Sequence, residues 1–596
     1  MHPSAKMAEV ELEPRLVNEG NAEVINTGAV EEKEVNSAFR LKIDNLPPFF
    51  SSVQVKKFLQ KTLPKVPFSR LKHLRGVTYA SVKTQEDLNT ALEVLSCASI
   101  KKFNLDVKQV VDDPAINCHQ MKRRLDKANE QDIASDKTPA ELLLQSVTPL
   151  ANMPYEQQLE RKSAESKRIA TNLLKELHNA GILGAKKRDL DELMGPVLPS
   201  PIFKGYRNKC ELTVGQGEDG QATVGFICGK MANQEIKIVG VEDCSILTAN
   251  TREIVREFES FTRQFAGQLD GFDEFRREGF WKMLTIRDFI GDCMMIVTVH
   301  PHADLDLIAD VKKQLIQRFI RFGEVDAVEF RVTSLYWNTA ENSGDQKSYE
   351  HLAGAPYIYE TLLGTRFRIS PSTFFQTNSR GAEVLFTKIG DAMVIESKTE
   401  ESQPMDAKRP RIEIEVSEVN EKTKPSLVLL DICCGAGTIS LCCMKRIKNA
   451  VKSGEYNGNF GCIGVEIVPE AIRDAHINCA DNGLSPTSCL YFKGEAEFIF
   501  KDLVYQMPQG CDLSTSTFIG VLDPPRAGVS DRVVMGCRKL HQMKRLVYVS
   551  CDPKAALKNV IDLCRPRSRK YEGEPFNLVR IQPVDMFLKL SIVSGL

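Results

Sequence analysis

Apolar and polar residues follow three rhythms along this chain. Between residues 38 and 112, apolar positions alternate with polar ones at 39–43, 77–82 and 103–110, and a further extended run occupies 68–74. Apolar positions recur every three or four residues at 51–61 and 85–96. A period of two is that of a strand with one buried face, and a period near 3.6 is that of a helix. The expected order is strand, helix, strand, strand, helix, strand. Between 200 and 340, short strands broken by glycine are expected at 209–214, 223–227, 236–241, 282–287 and 294–299. Helical stretches at 251–268 and 304–321 intervene, which makes an α+β region. From Pro356 onward strand and helix alternate regularly, the pattern of a doubly wound α/β sheet.

The stretches between these rhythms divide the chain. Residues 1–37 lack periodicity and read as a disordered tail, followed by the segment 38–112. Residues 113–194 read as a linker, rich in proline at first, and then a long charged helix at 155–180. The central α+β region spans 195–355, and the doubly wound region spans 356–596. A charged, apolar-poor stretch at 396–424 reads as a disordered surface insertion. Its Lys408-Arg409-Pro410-Arg411 is read as a solvated charge run rather than a nuclear import signal.

Composition narrows the function classes. With 596 residues, about three to five domains are expected. Lys and Arg total 78 against 79 for Asp and Glu, so any nucleic-acid contact must be local rather than a basic coat. The 17 cysteines are scattered, and no CxxC stands beside a second one, which speaks against a zinc ribbon and for a reduced compartment. No apolar run reaches the roughly 18 residues of a spanning helix. The N-terminus has no apolar core of a signal peptide and carries early glutamates, so cytosol or nucleus is the expected location.

Candidate chemistry begins at Leu427-Val428-Leu429-Leu430-Asp431, an apolar strand that ends in a carboxylate. Cys433-Cys434-Gly435-Ala436-Gly437-Thr438 follows and opens a helix. A strand, a glycine-rich turn and a helix form a nucleotide-binding unit, although a tight turn in any α/β protein has the same look. A second apolar strand ends at Glu466, placed to accept hydrogen bonds from both hydroxyls of a ribose. The turn lacks the third glycine of a dinucleotide fingerprint, and no phosphate loop is present. The pattern resembles class I S-adenosylmethionine-dependent methyltransferases, whose cofactor has a ribose and no phosphate.

A fourth strand ends Asp523-Pro524-Pro525-Arg526-Ala527-Gly528, and the prolines hold the Asp523 carboxylate at the rim where ligands of doubly wound sheets bind. Amino-methylating enzymes have an aromatic residue where Arg526 stands, so amine methylation is disfavoured. The fifth strand ends Ser550-Cys551-Asp552-Pro553. A cysteine on this rim is a candidate nucleophile, the alternative being a buried structural thiol. A methyltransferase needs a thiolate when the target is carbon 5 of uracil. Addition to carbon 6 gives an enolate, and carbon 5 then becomes nucleophilic.

These residues resemble the tRNA (uracil-5-)-methyltransferases, in particular the animal branch with an N-terminal RNA-recognition motif. The resemblance covers 38–112 and 195–587. It rests on Tyr206-Arg207-Asn208-Lys209-Cys210-Glu211, Phe374-Phe375-Gln376-Thr377-Asn378, the run from Asp523 to Gly528, and Ser550-Cys551-Asp552-Pro553. It implies Cys551 as nucleophile, S-adenosyl-L-methionine as cofactor, and cofactor contacts at Gln376, Cys433, Thr438, Glu466 and Asp523. Without it, Gln376 reads as a loop-capping amide. It implies tRNA as the partner, with a T-loop uridine as the target and other structured RNA as a further candidate; no membrane is expected, given the lack of a long apolar run. The iron–sulfur cluster of the ribosomal-RNA branch is not expected, because Cys210, Cys228 and Cys244 are too widely spaced.

Family members continue after an Asp-x-Phe with Pro, Thr, His and a Glu that removes the carbon 5 proton. Here Asp585-Met586-Phe587 is followed by Leu588-Lys589-Leu590-Ser591-Ile592-Val593-Ser594-Gly595-Leu596. The expectation is a form that lacks the base and the final strand, as a splice variant or frame shift would, with slow release of its RNA adduct. The segment 38–112 resembles an RNA-recognition motif of ferredoxin-like order. Of its expected stacking aromatics only Tyr79 is present, so weak RNA binding competes with protein binding as its role. Basic residues within 161–188 and 206–209 are candidates for phosphate contacts, or for a solvated face. Two function classes remain open here: a uracil-5 methyltransferase, and a non-catalytic RNA-binding or RNA-folding protein on the same fold.

Overall fold

A computed structural model describes residues 39–595 except 47–51, 65, 75–76, 83, 97, 101–102, 111–137, 218–219, 231–234, 274–275, 321–329, 343–344, 346, 394–425, 455 and 589–593. The expected tail, the insertion 396–424, and most of the sequence after Leu588 lie outside the described residues. The chain divides into two units, Met1–Asp132 and Ile133–Leu596.

The first unit contains β1 (Phe39–Asp44), α1 (Ser52–Thr62), β2 (Ser69–Leu74), β3 (Val77–Val82), α2 (Gln85–Ser96) and β4 (Asp106–Val110). Its antiparallel sheet has the order β2-β3-β1-β4, the ferredoxin-like arrangement of an RNA-recognition motif. Period-two alternation sends Leu41, Ile43, Ala80 and Val82 inward against Leu59, Leu88 and Leu95 of the helices. On the outer face Lys42 pairs with Tyr79 on one side and Lys108 on the other.

The second unit opens with α3 (Pro139–Ser146), closed at its start by a reciprocal Thr138–Glu141 capping box, and α4 (Tyr155–Asn179). A seven-stranded sheet follows, built from β5 (Lys209–Gln216), β6 (Ala222–Lys230), β7 (Glu235–Val239), β8 (Trp281–Asp288), β9 (Cys293–Val299), β10 (Ser334–Thr339) and β11 (Tyr349–Gly354). Its order is β11-β10-β9-β8-β5-β6-β7. The helices α5 (Ala249–Arg263) and α6 (Leu305–Phe319) pack on one face, with Phe258, Phe261 and Phe319 against Trp281 and Trp337. A hairpin of β12 (Ile358–Leu362) and β13 (Thr365–Ile369) then leads to α7 (Ser379–Met393).

The remainder alternates strictly: β14 (Leu427–Ile432), α8 (Thr438–Lys452), β15 (Phe460–Glu466), α9 (Pro469–Asp481), β16 (Cys489–Lys493), α10 (Ala496–Asp502), β17 (Thr517–Leu522), α11 (Asp531–Lys539), β18 (Met543–Tyr548) and α12 (Pro553–Cys564). All strand pairs are parallel, in the order β16-β15-β14-β17-β18. This is the class I methyltransferase order, and the winding reverses between β14 and β17. Among the described residues no helix is long and apolar enough to cross a membrane.

The charged helix α4 holds the largest difference from the sequence reading. Its basic residues were candidates for solvent or phosphate, yet Gln158, Lys162, Ser166, Ala170, Leu173, Leu174 and Leu177 form a buried stripe. Spacing of three and four residues puts them on one face. The Lys162 ammonium meets Asp585 at 2.6 Å, with side chains 2% and 0% exposed. It also donates to the Phe587 carbonyl at 2.8 Å, while the Tyr155 hydroxyl donates to Asp585 at 3.1 Å and accepts from the Ser200 amide at 2.9 Å. Burial pushes the Lys162 pKa below the usual lysine range, against the opposing pull of Asp585. Removing one member of such a pair leaves an uncompensated buried charge, which costs about 3–5 kcal/mol. Lys162→Ala should lower unfolding free energy by that amount in urea titrations. Lys162→Met combined with Asp585→Leu should recover most of it. Lys167→Ala, whose partner Asp191 is exposed, should change stability by less than about 1 kcal/mol.

Candidate active site

Reversal of winding at β14 leaves a crevice above the strand ends, and most of the candidate residues stand on its rim. The chain leaves β14 through Cys433, a non-glycine residue held in the left-handed region at φ 66°. The Cys433 and Cys434 amides both donate to the Val465 carbonyl, at 3.0 and 3.1 Å, which binds the turn to the tip of β15. Gly437 follows at φ 75°, and a side chain there would run into the Tyr491 ring. Thr438, half-buried, is the first residue of α8.

Three carboxylates gather here. Asp431 is fully buried; its Oδ2 accepts from the Ser440 amide at 3.2 Å, and its Oδ1 is buried without a partner. Burial raises its pKa to about 6. Glu466 accepts from the Ile467 and Val468 amides on Oε1 at 2.8 and 3.0 Å, and from the Gly435 amide on Oε2 at 3.2 Å. A carboxylate has about four acceptor sites, so only one remains open. Gripping both hydroxyls of a ribose would therefore require Glu466 to exchange one of these three amides. Asp523 lies at the tip of β17, and burial, with Asp431 adding to it, raises its pKa to about 7. No described residue donates a hydrogen bond to its carboxylate. Side chains at Gly435 and Gly494 would meet nothing within 4 Å, so the turn opens onto free space. An orphaned acceptor, a carboxyl without a donor and crowded negative charge suit a ligand rich in donors and carrying positive charge.

The tip of β18 joins this rim through the Val549 amide, which donates to the Leu522 carbonyl at 2.7 Å. Among the described cysteines only Cys433, Cys511 and Cys551 are not buried. Burial and the three carboxylates push the Cys433 thiol up to about 12, and burial raises Cys511. Cys551 is half-buried and directly precedes Asp552, the N-cap of α12. Asp552 accepts from the Lys554 and Ala555 amides at 3.1 and 3.3 Å and so caps the helix.

Gln376 lies on the loop between β13 and α7. Its carbonyl accepts from Asn208 Nδ2 at 3.1 Å, and its side-chain amide caps nothing among the described residues. That loop is fixed by residues the sequence reading missed. Asp474 of α9 accepts from the Arg368 guanidinium at 2.9 Å, the Ser370 hydroxyl at 2.9 Å and the Thr373 hydroxyl at 2.7 Å. Asn478, one turn on, accepts from the Arg368 amide at 2.7 Å and donates to the Ala436 carbonyl of the turn at 3.2 Å. Two polar residues four apart on the apolar face of α9 were the available signal. Asn559 of α12 likewise accepts from the Tyr548 hydroxyl and the Val529 amide, both at 3.0 Å, and so clamps the Asp523–Gly528 run to β18.

Comparison with known proteins now decides the family. The tRNA (uracil-5-)-methyltransferase homolog A of Mus musculus is 31% identical over 567 residues, which is 92% of this chain and 82% of that protein. The chain belongs to the tRNA (uracil-5-)-methyltransferase family. Homolog B of Homo sapiens is 32% identical over 75% of this chain and 81% of its own length. The solved structure of Pyrococcus abyssi tRNA (uracil-54, C5)-methyltransferase in complex with S-adenosyl-L-homocysteine shares 19% identity, covers 84% of this chain and 89% of its own, and has a TM-score of 0.49. No family model matches the chain.

The raised carboxyls give a pH signature. Both ionise less readily folded than unfolded, so they begin to oppose folding once the pH exceeds the ordinary carboxyl range near 4. Their contribution to stability should fall as the pH rises from about 4 through 7, then level off. Asp523→Asn cannot ionise. Its stability relative to the parent should increase between pH 5 and pH 8 in denaturant titrations, whereas parallel pH profiles would refute the assignment.

Proposed function

We propose that this chain transfers a methyl group from S-adenosyl-L-methionine to carbon 5 of a uridine in tRNA, through a covalent adduct on Cys551. The observation that carries this reading is the half-buried Cys551 thiol on the same rim as Cys433, Glu466 and Asp523. Gln376, Cys433, Thr438, Glu466 and Asp523 hold the cofactor. Asp523 and Asp431 match its donors and positive charge, and the open turn at Gly435 admits the ribose beside Glu466. When bound, the cofactor supplies the methyl group that carbon 5 takes up.

The chain's own residues do the rest. The Cys551 thiol gives up its proton, and the sulfur bonds to carbon 6 of the extruded uracil. Carbon 5 becomes nucleophilic because the electron pair displaced from the carbon 5–carbon 6 bond is shared between carbon 5 and the exocyclic oxygen on carbon 4. Release requires a base to take the proton from carbon 5, so that the bond from sulfur to carbon 6 can break. Asp552 adjoins the thiol but is held by the Lys554 and Ala555 amides, a poor base. Adduct release is therefore proposed to be slower than adduct formation. The target is a uridine of the T-loop in cytosolic tRNA, whose extrusion exposes carbon 6. The N-terminal sheet adds a weak single-strand contact through Tyr79, about 1–3 kcal/mol for a stacked base. A protein partner is the alternative there.

A non-catalytic RNA-folding role predicts no chemistry at Cys551, which makes the test direct. The chain is incubated with the cofactor and tRNA in which uridine is replaced by 5-fluorouridine. Fluorine cannot leave as a proton, so the adduct stays trapped without any base. A denaturant-stable complex is expected with the wild type and none with Cys551→Ala. No complex, or one that survives the substitution, would overturn the reading.

A further inference from the structure

The seven-stranded sheet has two unlike faces. Cys210, Leu212 and Val214 of β5, with Leu284 and Ile286 of β8, pack into the core beneath α5 and α6. The residues between them point the other way. In register, Lys209 lies opposite Arg287, and Glu211 lies opposite Thr285. Toward β9 and β10 this second face is closed by the β12–β13 side, where Met294, Ile296 and Tyr336 join the apolar cluster of Phe367 and Phe375. Across β5 and β8 it stays polar, with Lys209 and Glu211 28% and 45% exposed.

The charge there is unbalanced. Lys209, Arg287 and the exposed Lys347 all act on one carboxylate, Glu211, which bonds Lys209 at 2.9 Å. Asp474 also acts on Arg287, but it is engaged by Arg368, Ser370 and Thr373. Tyr349, nearby, is a phenol held neutral by burial. Arg287 is 3% exposed and donates Nη1 to the Ser370 carbonyl at 3.2 Å, yet its Nε is buried with no acceptor. A buried charged donor left without a partner is costly, and a cluster of like charges adds to that cost. Lys209 is pushed down by burial and by Arg287 and Lys347 together, and burial lowers Arg287 to about 10. An anion with several oxygens would relieve both defects.

We propose that Lys209, Arg287 and Lys347 form a subsite for a backbone phosphate of the RNA substrate. Arg287 is bonded to Ser370, and Asn208, the neighbour of Lys209, is bonded to the Gln376 carbonyl. The phosphate therefore lies beside the loop that carries Gln376, and it anchors the strand that flanks the extruded uridine. This inference rests on the RNA substrate proposed above.

Affinity of the full chain for an unmodified tRNA transcript, measured against salt concentration without methyl donor, tests it. Removing one phosphate-binding charge should reduce the slope of log affinity on log salt by about 0.7–0.9. Lys347→Gln and Lys209→Gln should each show that reduction. Lys313→Gln, exposed on α6 at the covered face, should keep the parental slope. Glu211→Gln removes the competing carboxylate and should bind several-fold tighter, the reverse of what a purely structural ion pair would give. Parental slopes in both lysine variants, or weaker binding by Glu211→Gln, would overturn the subsite. The fluorouridine adduct is read separately: an adduct with unchanged slopes removes the subsite alone, and altered slopes without an adduct remove the reaction alone.

Discussion

Everything at the site follows from one topological constraint, the reversal of winding between β14 and β17. Right-handed crossovers carry the chain outward from β14 to β15 and β16, and the next connection must return across the sheet to β17. The two strands that part company there cannot have a helix over their shared end. That leaves Cys433 and Asp523 side by side and half-buried at the crevice, with the Asp523 amide donating to the Ile432 carbonyl at 3.4 Å. The same parallel register carries Glu466 to the rim at the end of β15, and Cys551 follows three residues after β18, beyond the Val549 amide bonded to Leu522.

A crevice alone does not hold a reaction geometry, and the polar residues around it supply the stiffness. Asn208 binds the start of β5 to the Gln376 loop, with its amide donating to the Ser379 hydroxyl at 2.8 Å, and Ser379 in turn donates to Glu360 at 2.6 Å. Asp474 and Asn478 fix the same loop to the Cys433–Thr438 turn. On the far side, Lys162 and Asp585 fasten α4 to the segment after β19 (Pro583–Val584), where the Tyr206 hydroxyl donates to the Leu588 carbonyl at 2.8 Å. The central sheet and the parallel sheet are thus joined by buried polar contacts as well as apolar packing. Such contacts fix register more than they add stability.

The elements most legible in the sequence were those with a clean period. The five parallel strands and the βαββαβ segment emerge close to their expected limits, because one or both faces of each strand are buried and the pattern has no rival. The positions of Cys433, Glu466 and Asp523 were legible because each ends or directly follows an apolar strand. What escaped was polar chemistry inside the fold. Lys162, in the polar run Glu160-Arg161-Lys162-Ser163, reads as surface until its partner 423 positions away is known. Asp474 and Asn478 stand on the apolar face of α9, but their roles stay hidden because their partners lie in the 368–373 segment and at Ala436 of the turn. The open acceptor count of Glu466 depends on two amides of its own loop and on the Gly435 amide of the turn after β14, which no spacing rule reveals.

The central claim is that the thiol of Cys551 activates carbon 5 of uracil for methyl transfer. Its most direct measurement follows a labelled methyl group from the cofactor into tRNA and locates it after digestion to nucleosides and to peptide-bound nucleotide. The account predicts label on carbon 5 of uridine, free or still attached to the Cys551 peptide, and none with Cys551→Ala. Label on another base, on a ribose oxygen, or undiminished in Cys551→Ala would contradict it.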